Sequence, residues 1–355
     1  MDVRVGSTVI GDGHLTFVVA EMAWSHDGSV DKAKVIVRGA ARARANAINL
    51  HLTSMPDYMV PSYGSGPGRV SAGKETRPVF DYLQSINLPQ ADWVELVEYS
   101  RSLDLAVSTL CNDHASLEFA ASRLNPDIYM IHPSAIGEEA FVRAVARQGK
   151  PTVLYLGGCW MGEAERAILW ARGEGNQQLI LQHGFQGYPT RPPEMNLRFI
   201  PTLKGMFGFP VAFGDHTEGG SELALIAPLL AVAAGANVIE KHITHDRAAK
   251  GEDFEAALNP AEFATLVQYL RQTEEALGSS TWRPLSQRGL DYRSVVRKRA
   301  VAARAIAKGA RIGPSDVVFK RADAGVFPEE LPILIGRRTI AELEESTPIT
   351  WDDVA

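Results

Sequence analysis

Short runs of β-branched and other apolar residues alternate along the chain with longer segments whose apolar positions recur at helical spacing. The short runs fall at residues 15–21, 47–51, 105–109, 128–132, 152–156, 179–183, 211–215 and 238–242, which makes eight expected strands. Helical periodicity fills 30–43, 93–103, 116–124, 138–148, 163–172, 194–207, 221–234 and 260–277. Eight successive strand–helix units predict an α/β fold, a closed (β/α)8 barrel rather than an open doubly wound sheet. No GxGxxG follows a strand, so nothing recommends a dinucleotide fold.

The pattern changes twice. Residues 52–92 are long for a strand-to-helix connection and rich in Pro and Gly, as a lid or substrate wall over a barrel mouth would be. After Leu277 the barrel rhythm stops at Gly-Ser-Ser-Thr-Trp-Arg-Pro, which reads as a linker. The expected layout is a barrel over 1–280, a linker over 281–293 and a compact β-rich domain over 294–355. A domain that small buries little core alone, so it is expected to dock on another surface.

Composition narrows the class. Hydrophobic residues make up 45% and charged residues 22%, which is ordinary for a globular protein. A net charge of −6, with no Lys/Arg block, argues against a nucleic-acid surface. Cys111 and Cys159 form no CxxC pair, so neither a disulfide framework nor a zinc ribbon is implied. With no signal-like or membrane-length apolar run, a cytoplasmic setting is the default expectation.

The expected strand ends carry Glu21, His51, Thr109, His132, His183, Asp215 with His216, and Glu240 with His242. A barrel brings such ends to one mouth, where its chemistry sits. Gly214-Asp215-His216-Thr217 and Glu240-Lys241-His242 flank one helix, so their two imidazoles sit about one strand apart and can hold a divalent metal. Two unconnected histidines would satisfy the same spacing. Asp246, just past His242, is a candidate acid/base, or half of a surface ion pair with Arg247.

These blocks resemble the sialic acid synthase family. Ala20-Glu21-Met22 with His26-Asp27-Gly28 is similar to that family's AEIGxNHNG opening. Tyr188-Pro189-Thr190, the two histidine blocks and Asp246-Arg247 follow in the family's order. The tail, Val318-Phe319-Lys320-Arg321 and Pro348-Ile349-Thr350-Trp351, resembles its antifreeze-like (SAF) domain. The resemblance implies a (β/α)8 barrel, a domain-swapped homodimer and a bound Mn²⁺ or Mg²⁺. The implied reaction condenses phosphoenolpyruvate with an N-acyl amino sugar such as N-acetylmannosamine. It makes His216 and His242 the metal ligands, and Glu21 and Asp246 acid/base or orienting groups. Thr109 and Tyr188 would lie along the substrate, and Arg321 would enter a partner's site.

The departures cluster at one end of the expected site. Asn49-Leu50-His51 stands where the family has KFQ, and Met130 stands where it has a second lysine. His132 follows Met130, Gln186-Gly187 replaces the polar pair before Tyr-Pro, and Gly214 replaces a serine. Asn49 and Gln186 thus take substrate positions, several of which hold the family's phosphate. A phosphate dianion needs cations or converging N–H donors. At roughly 1.5–3 kcal/mol for each charged hydrogen bond, losing two lysines would weaken it by orders of magnitude. Arg69 and Lys74 are candidate stand-ins. Neutral imidazoles at His51 and His132 do not replace that charge, but they can act as acid/base groups, metal ligands or pocket walls.

Three readings follow. The first is a sialic-acid-synthase-type enzyme that joins an enolate donor to a sugar-type aldehyde. The second is a metal-dependent aldolase, lyase or hydrolase acting on a non-phosphorylated substrate. The third, a non-catalytic binding protein, leaves Glu21, His216, Glu240, His242 and Asp246 together without a purpose.

Overall fold

The structure, a computed structural model, describes residues 1–62, 79–279 and 281–355. The chain divides into two compact units, Met1–Gly278 and Ser279–Ala355.

The first unit opens with a hairpin of β1 (Val3–Val5) and β2 (Thr8–Ile10). Eight parallel strands then close a barrel: β3 (Phe17–Glu21), β4 (Ala47–Leu52), β5 (Ala106–Cys111), β6 (Ile128–Ile131), β7 (Thr152–Tyr155), β8 (Leu179–His183), β9 (Val211–Asp215) and β10 (Val238–His242). The last strand pairs with the first, Glu21 lying beside His242. The expected barrel is therefore present, strand for strand.

Alternation along each strand makes two cores. Val19, Leu110, Met130, Val153, Ile180, Ala212 and Val238 fill the interior, and Val3, Val5 and Ile10 of the hairpin join them. The hairpin thus plugs the amino-terminal end, a role invisible in strands of three residues. Ile48, Leu50, Val107, Ile131, Leu154, Leu181 and Ile239 face outward and pack against the helices. Val30–Arg42 is typical of these helices. Ser29 caps it, accepting from Lys32 N, and Asp31 and Arg42 complement the helix dipole at its two ends. Ala33, Ile36, Val37 and Ala40 form its buried stripe.

Some boundaries differ from the periodicity. The expected helix at 194–207 divides into Pro192–Met195 and Phe199–Phe207, because Asn196 adopts a left-handed φ of 42°. β5 continues two residues beyond Thr109. The long connection after β4 contains the helices Met55–Tyr58 and Val79–Ile86, while Arg69 and Lys74 lie outside the described residues.

In the second unit, β11 (Lys298–Ala302) pairs antiparallel with β12 (Val317–Arg321). Ala300, Ile306, Ile312, Val326, Leu334, Leu343 and Ile349 form its core. The stretch read as a linker holds a helix, Gln287–Val296, started by the Ser286 hydroxyl accepting from Gly289 N at 3.2 Å. Among the described residues, no helix is long and apolar enough to cross a membrane.

Candidate active site

The same alternation decides which polar residues enter the barrel. Counting outward from the interior core, the inward set at the carboxyl end is Glu21, Asn49 and His51, Ser108, His132, Tyr155, Gln182, His216, Glu240 and His242. Thr109, expected along the substrate, lies on the opposite face. It shares the parity of the outward Val107 and Cys111, whose thiol contacts its hydroxyl at 3.8 Å. His183 also faces out, bonding the Met195 carbonyl at 2.8 Å. Asp215 turns outward as well and makes a fully buried ion pair with Lys241 at 2.9 Å. The Thr217 backbone N–H and hydroxyl donate to Asp215 at 3.0 and 2.9 Å, which fastens the turn that carries His216.

One side of the mouth is acidic. Glu21 accepts from Ala23 N at 2.6 Å and from the Asn49 amide at 2.5 Å, and its Oε1 lies 3.3 Å from His51 Nε2. Glu240 accepts from the Gln182 amide at 2.6 Å, while its other oxygen is buried with no hydrogen-bond partner. Burial, reinforced by the nearby Glu21 charge, pushes the Glu240 carboxyl well above its usual range. Its protonated form is thereby favoured.

The other side is aromatic. The His216 and His242 rings lie 5.1 Å apart, with Tyr188 edge-on to both at 4.8 and 5.6 Å. His216 Nδ1 lies 3.1 Å from the Phe185 carbonyl, which holds the proton there and leaves Nε2 as a lone pair. His242 Nδ1 is buried and unpartnered. Burial lowers both imidazoles, His216 to about 4, so both are neutral at pH 7. Tyr155 stacks on His216 at 6.2 Å and stands edge-on to His132 at 6.4 Å. His132 Nδ1 lies 3.2 Å from Ser134 N and 2.8 Å from the Ser134 hydroxyl, and its Nε2 lies 3.0 Å from the Gln186 amide nitrogen. Burial lowers His132 to about 4.

Glycines make room for this packing. A Cβ at Gly214 would stand 2.6 Å from Gln182 Nε2 and 3.2 Å from the Tyr155 hydroxyl. One at Gly184 would meet the Gly214 carbonyl at 2.4 Å.

Two expected site residues sit elsewhere. Asp246 is exposed and caps a short turn, accepting from Ala248 N at 2.9 Å. It lines a cleft of about 430 Å³ with Pro189, Glu218, Arg247 and Asn259. Arg321 belongs to the second unit, where its guanidinium donates to the Val295 carbonyl.

Tyr155, Gln182 and Ser108 were not among the residues that the sequence reading took from the last one or two positions of each expected strand. Inward parity, counted back from His132, His216 and His242, would have selected them.

The donor set fits a divalent metal. His216 and His242 offer neutral imidazole lone pairs, and the unpartnered His242 nitrogen is an orphan that a cation would satisfy. Among the described residues, no three His, Cys, Asp or Glu side chains group closely enough to close a metal site. A metal here would keep positions open for water or substrate.

The model of the NeuB family matches residues 36–281. The chain belongs to the NeuB family. A SAF-domain model matches residues 297–355 of this NeuB-family chain, the β-rich unit. A N,N'-diacetyllegionaminic acid synthase of Legionella pneumophila is 28% identical over 97% of this chain and 96% of its own length. A pseudaminic acid synthase of Campylobacter jejuni is 29% identical, covering 92% and 93%. The crystal structure of a Leptospira borgpetersenii N-acetylneuraminic acid synthetase has a TM-score of 0.71 at 26% identity, covering 83% of this chain and 97% of that one. The named relatives of this NeuB-family protein are thus sugar-acid synthases.

Proposed function

We propose that this chain is an enzyme of the sugar-acid synthase type, joining an enolate donor to the aldehyde carbon of an amino-sugar-like acceptor. The observation that carries the reading is the placement of two neutral imidazoles, His216 and His242, beside the buried Glu21 and Glu240. His216 and His242 would hold a divalent metal, Mn²⁺ or Mg²⁺ by family resemblance. When bound, such a metal supplies Lewis acidity towards a carbonyl oxygen. Glu240, whose burial favours the protonated form and whose Oε2 is unpartnered, would give a proton to the alkoxide that forms as the aldehyde is attacked. Glu21 is held in place by Asn49, the Ala23 amide and His51. Tyr188 walls the metal side, and Asp246, in the separate cleft that it lines, would at most orient acceptor hydroxyls from outside the strand-end set. In this reading the protein works as a swapped homodimer, Arg321 serving a partner's mouth.

A second reading keeps the site and changes the substrate: a metal-dependent aldolase or lyase acting on a non-phosphorylated compound. It is favoured by one observation. Among the described residues, the inward strand-end set contains no Lys or Arg, since Lys241 is turned out to Asp215.

The test is adduct formation. The full chain with Mg²⁺ or Mn²⁺ is incubated with donors and N-acylated amino-sugar aldehydes, and products are followed by mass spectrometry. Acceptor-dependent appearance of a donor–acceptor adduct is the expected result. A folded, metal-loaded protein that makes no adduct with any pair would overturn the proposal.

A further inference from the structure

An enol phosphate is already an enol. Its use requires a seat for a dianion and no proton removal from carbon. A ketone or 2-oxo acid reverses both demands, needing a base at its α-carbon and no phosphate seat.

The inward strand ends meet the second set of demands. Asn49 and Met130 stand at the two positions where the family resemblance places lysines, and both are buried and uncharged. Met130 lies 3.9 Å from the Asn49 amide, so the pair fills that space with a thioether and a carboxamide. His51, two residues along the same inward face, lies on Glu21 through Nε2 at 3.3 Å. Glu21 is itself held by the Ala23 amide and Asn49, so it fixes the His51 proton on Nε2 and leaves Nδ1 as a lone pair. The His51 side chain keeps 17% of its surface exposed. His132 is not equivalent, because Ser134 and Gln186 engage both its nitrogens.

We propose that the donor is an unphosphorylated, enolisable carbonyl compound, and that His51 is the base that removes its α-proton. The inference rests on the carbon–carbon bond-forming reading above. His51 Nδ1 takes the proton, and the C–H electron pair becomes the enolate. The enolate carbon attacks the aldehyde, forming the new bond. The carbonyl pair moves to oxygen, which takes a proton from water. His51 returns its proton to solvent, so the product is donor plus acceptor with nothing released. Glu21 is a positioning residue in this scheme.

The first measurement needs no acceptor. Pyruvate, 2-oxobutyrate and dihydroxyacetone are incubated in D₂O with the full chain and Mg²⁺, and loss of α-proton signal is followed by ¹H NMR. Protein-dependent exchange of at least one probe is expected, falling about 100-fold or more in His51→Gln. Phosphoenolpyruvate should release no phosphate with or without amino-sugar acceptors. Saturation-transfer NMR on metal-free protein gives a readout apart from turnover: phosphoenolpyruvate should bind the Asn49→Lys/Met130→Lys variant better than wild type. No exchange of any probe by the folded wild type overturns the inference, as does acceptor-dependent phosphate release that His51→Gln leaves unchanged. Exchange without any adduct would retain this donor and remove the bond-forming reading. Adduct formation from phosphoenolpyruvate with phosphate release would do the opposite.

Discussion

Replacing Lys241 with Met should cost about 4 kcal/mol of stability at pH 7, although Lys241 lies outside the site. Its ammonium is fully buried, 2.9 Å from Asp215 Oδ2, and also donates to the Thr217 carbonyl at 3.0 Å. At an effective dielectric constant of about 20, charges 2.9 Å apart attract by about 6 kcal/mol, largely offset by their desolvation. Removing only the cation leaves a buried carboxylate that has already lost its hydration. Breaking a buried pair in this way costs about 3–5 kcal/mol. A ceiling comes from protonation, since neutralising an ordinary carboxyl of pKa about 3.9 at pH 7 costs about 4 kcal/mol. The penalty should therefore shrink towards pH 5. The assay is urea unfolding of wild type, Lys241→Met, Asp215→Asn and the double variant. The double variant keeps the Thr217 N–H bond through the Asn carbonyl, carries no buried charge and should be more stable than Lys241→Met alone. A single-variant loss under about 1 kcal/mol, or additive singles, would refute the argument.

Other expected outcomes test separate parts of the molecule. His26 is fully buried and lowered from 6.5 to about 4 by burial. Its neutral form is the folded form, so its contribution is complete above pH 6.5 and lost as pH falls towards 4. That amounts to about 3 kcal/mol, checked as the difference in pH dependence between wild type and His26→Phe in urea melts. Gly214→Ser should destabilise by about 1–3 kcal/mol through its clash with the Gln182 amide, and most of that loss should vanish in a Gln182→Ala background. Titration calorimetry should find one Mn²⁺ per chain, removable by EDTA, with affinity falling more than about 100-fold in His216→Ala or His242→Ala.

Much of the barrel was legible because each strand is a short apolar run and each helix shows its own period. The hairpin plug was not, since three residues carry no periodicity. At the site, reading strand ends found Glu21, His51, His132, His216, Glu240 and His242. It misassigned Thr109 because β5 runs on to Cys111, and a shift of parity turns a side chain to the other face. Asp215 shows the same limit. A carboxylate next to a histidine reads as catalytic in one dimension, whereas in three it faces Lys241 behind the strand. Tyr155 and Gln182 were hidden one place inside their strand ends.

The tight fit of Gly214 against Gln182 and Tyr155 also governs descent. A lineage leaving this arrangement cannot gain a side chain at 214 first without disturbing the amide that holds Glu240. A shorter residue at 182 removes that contact, so a side chain at 214 should be accepted more easily after such a change than before it.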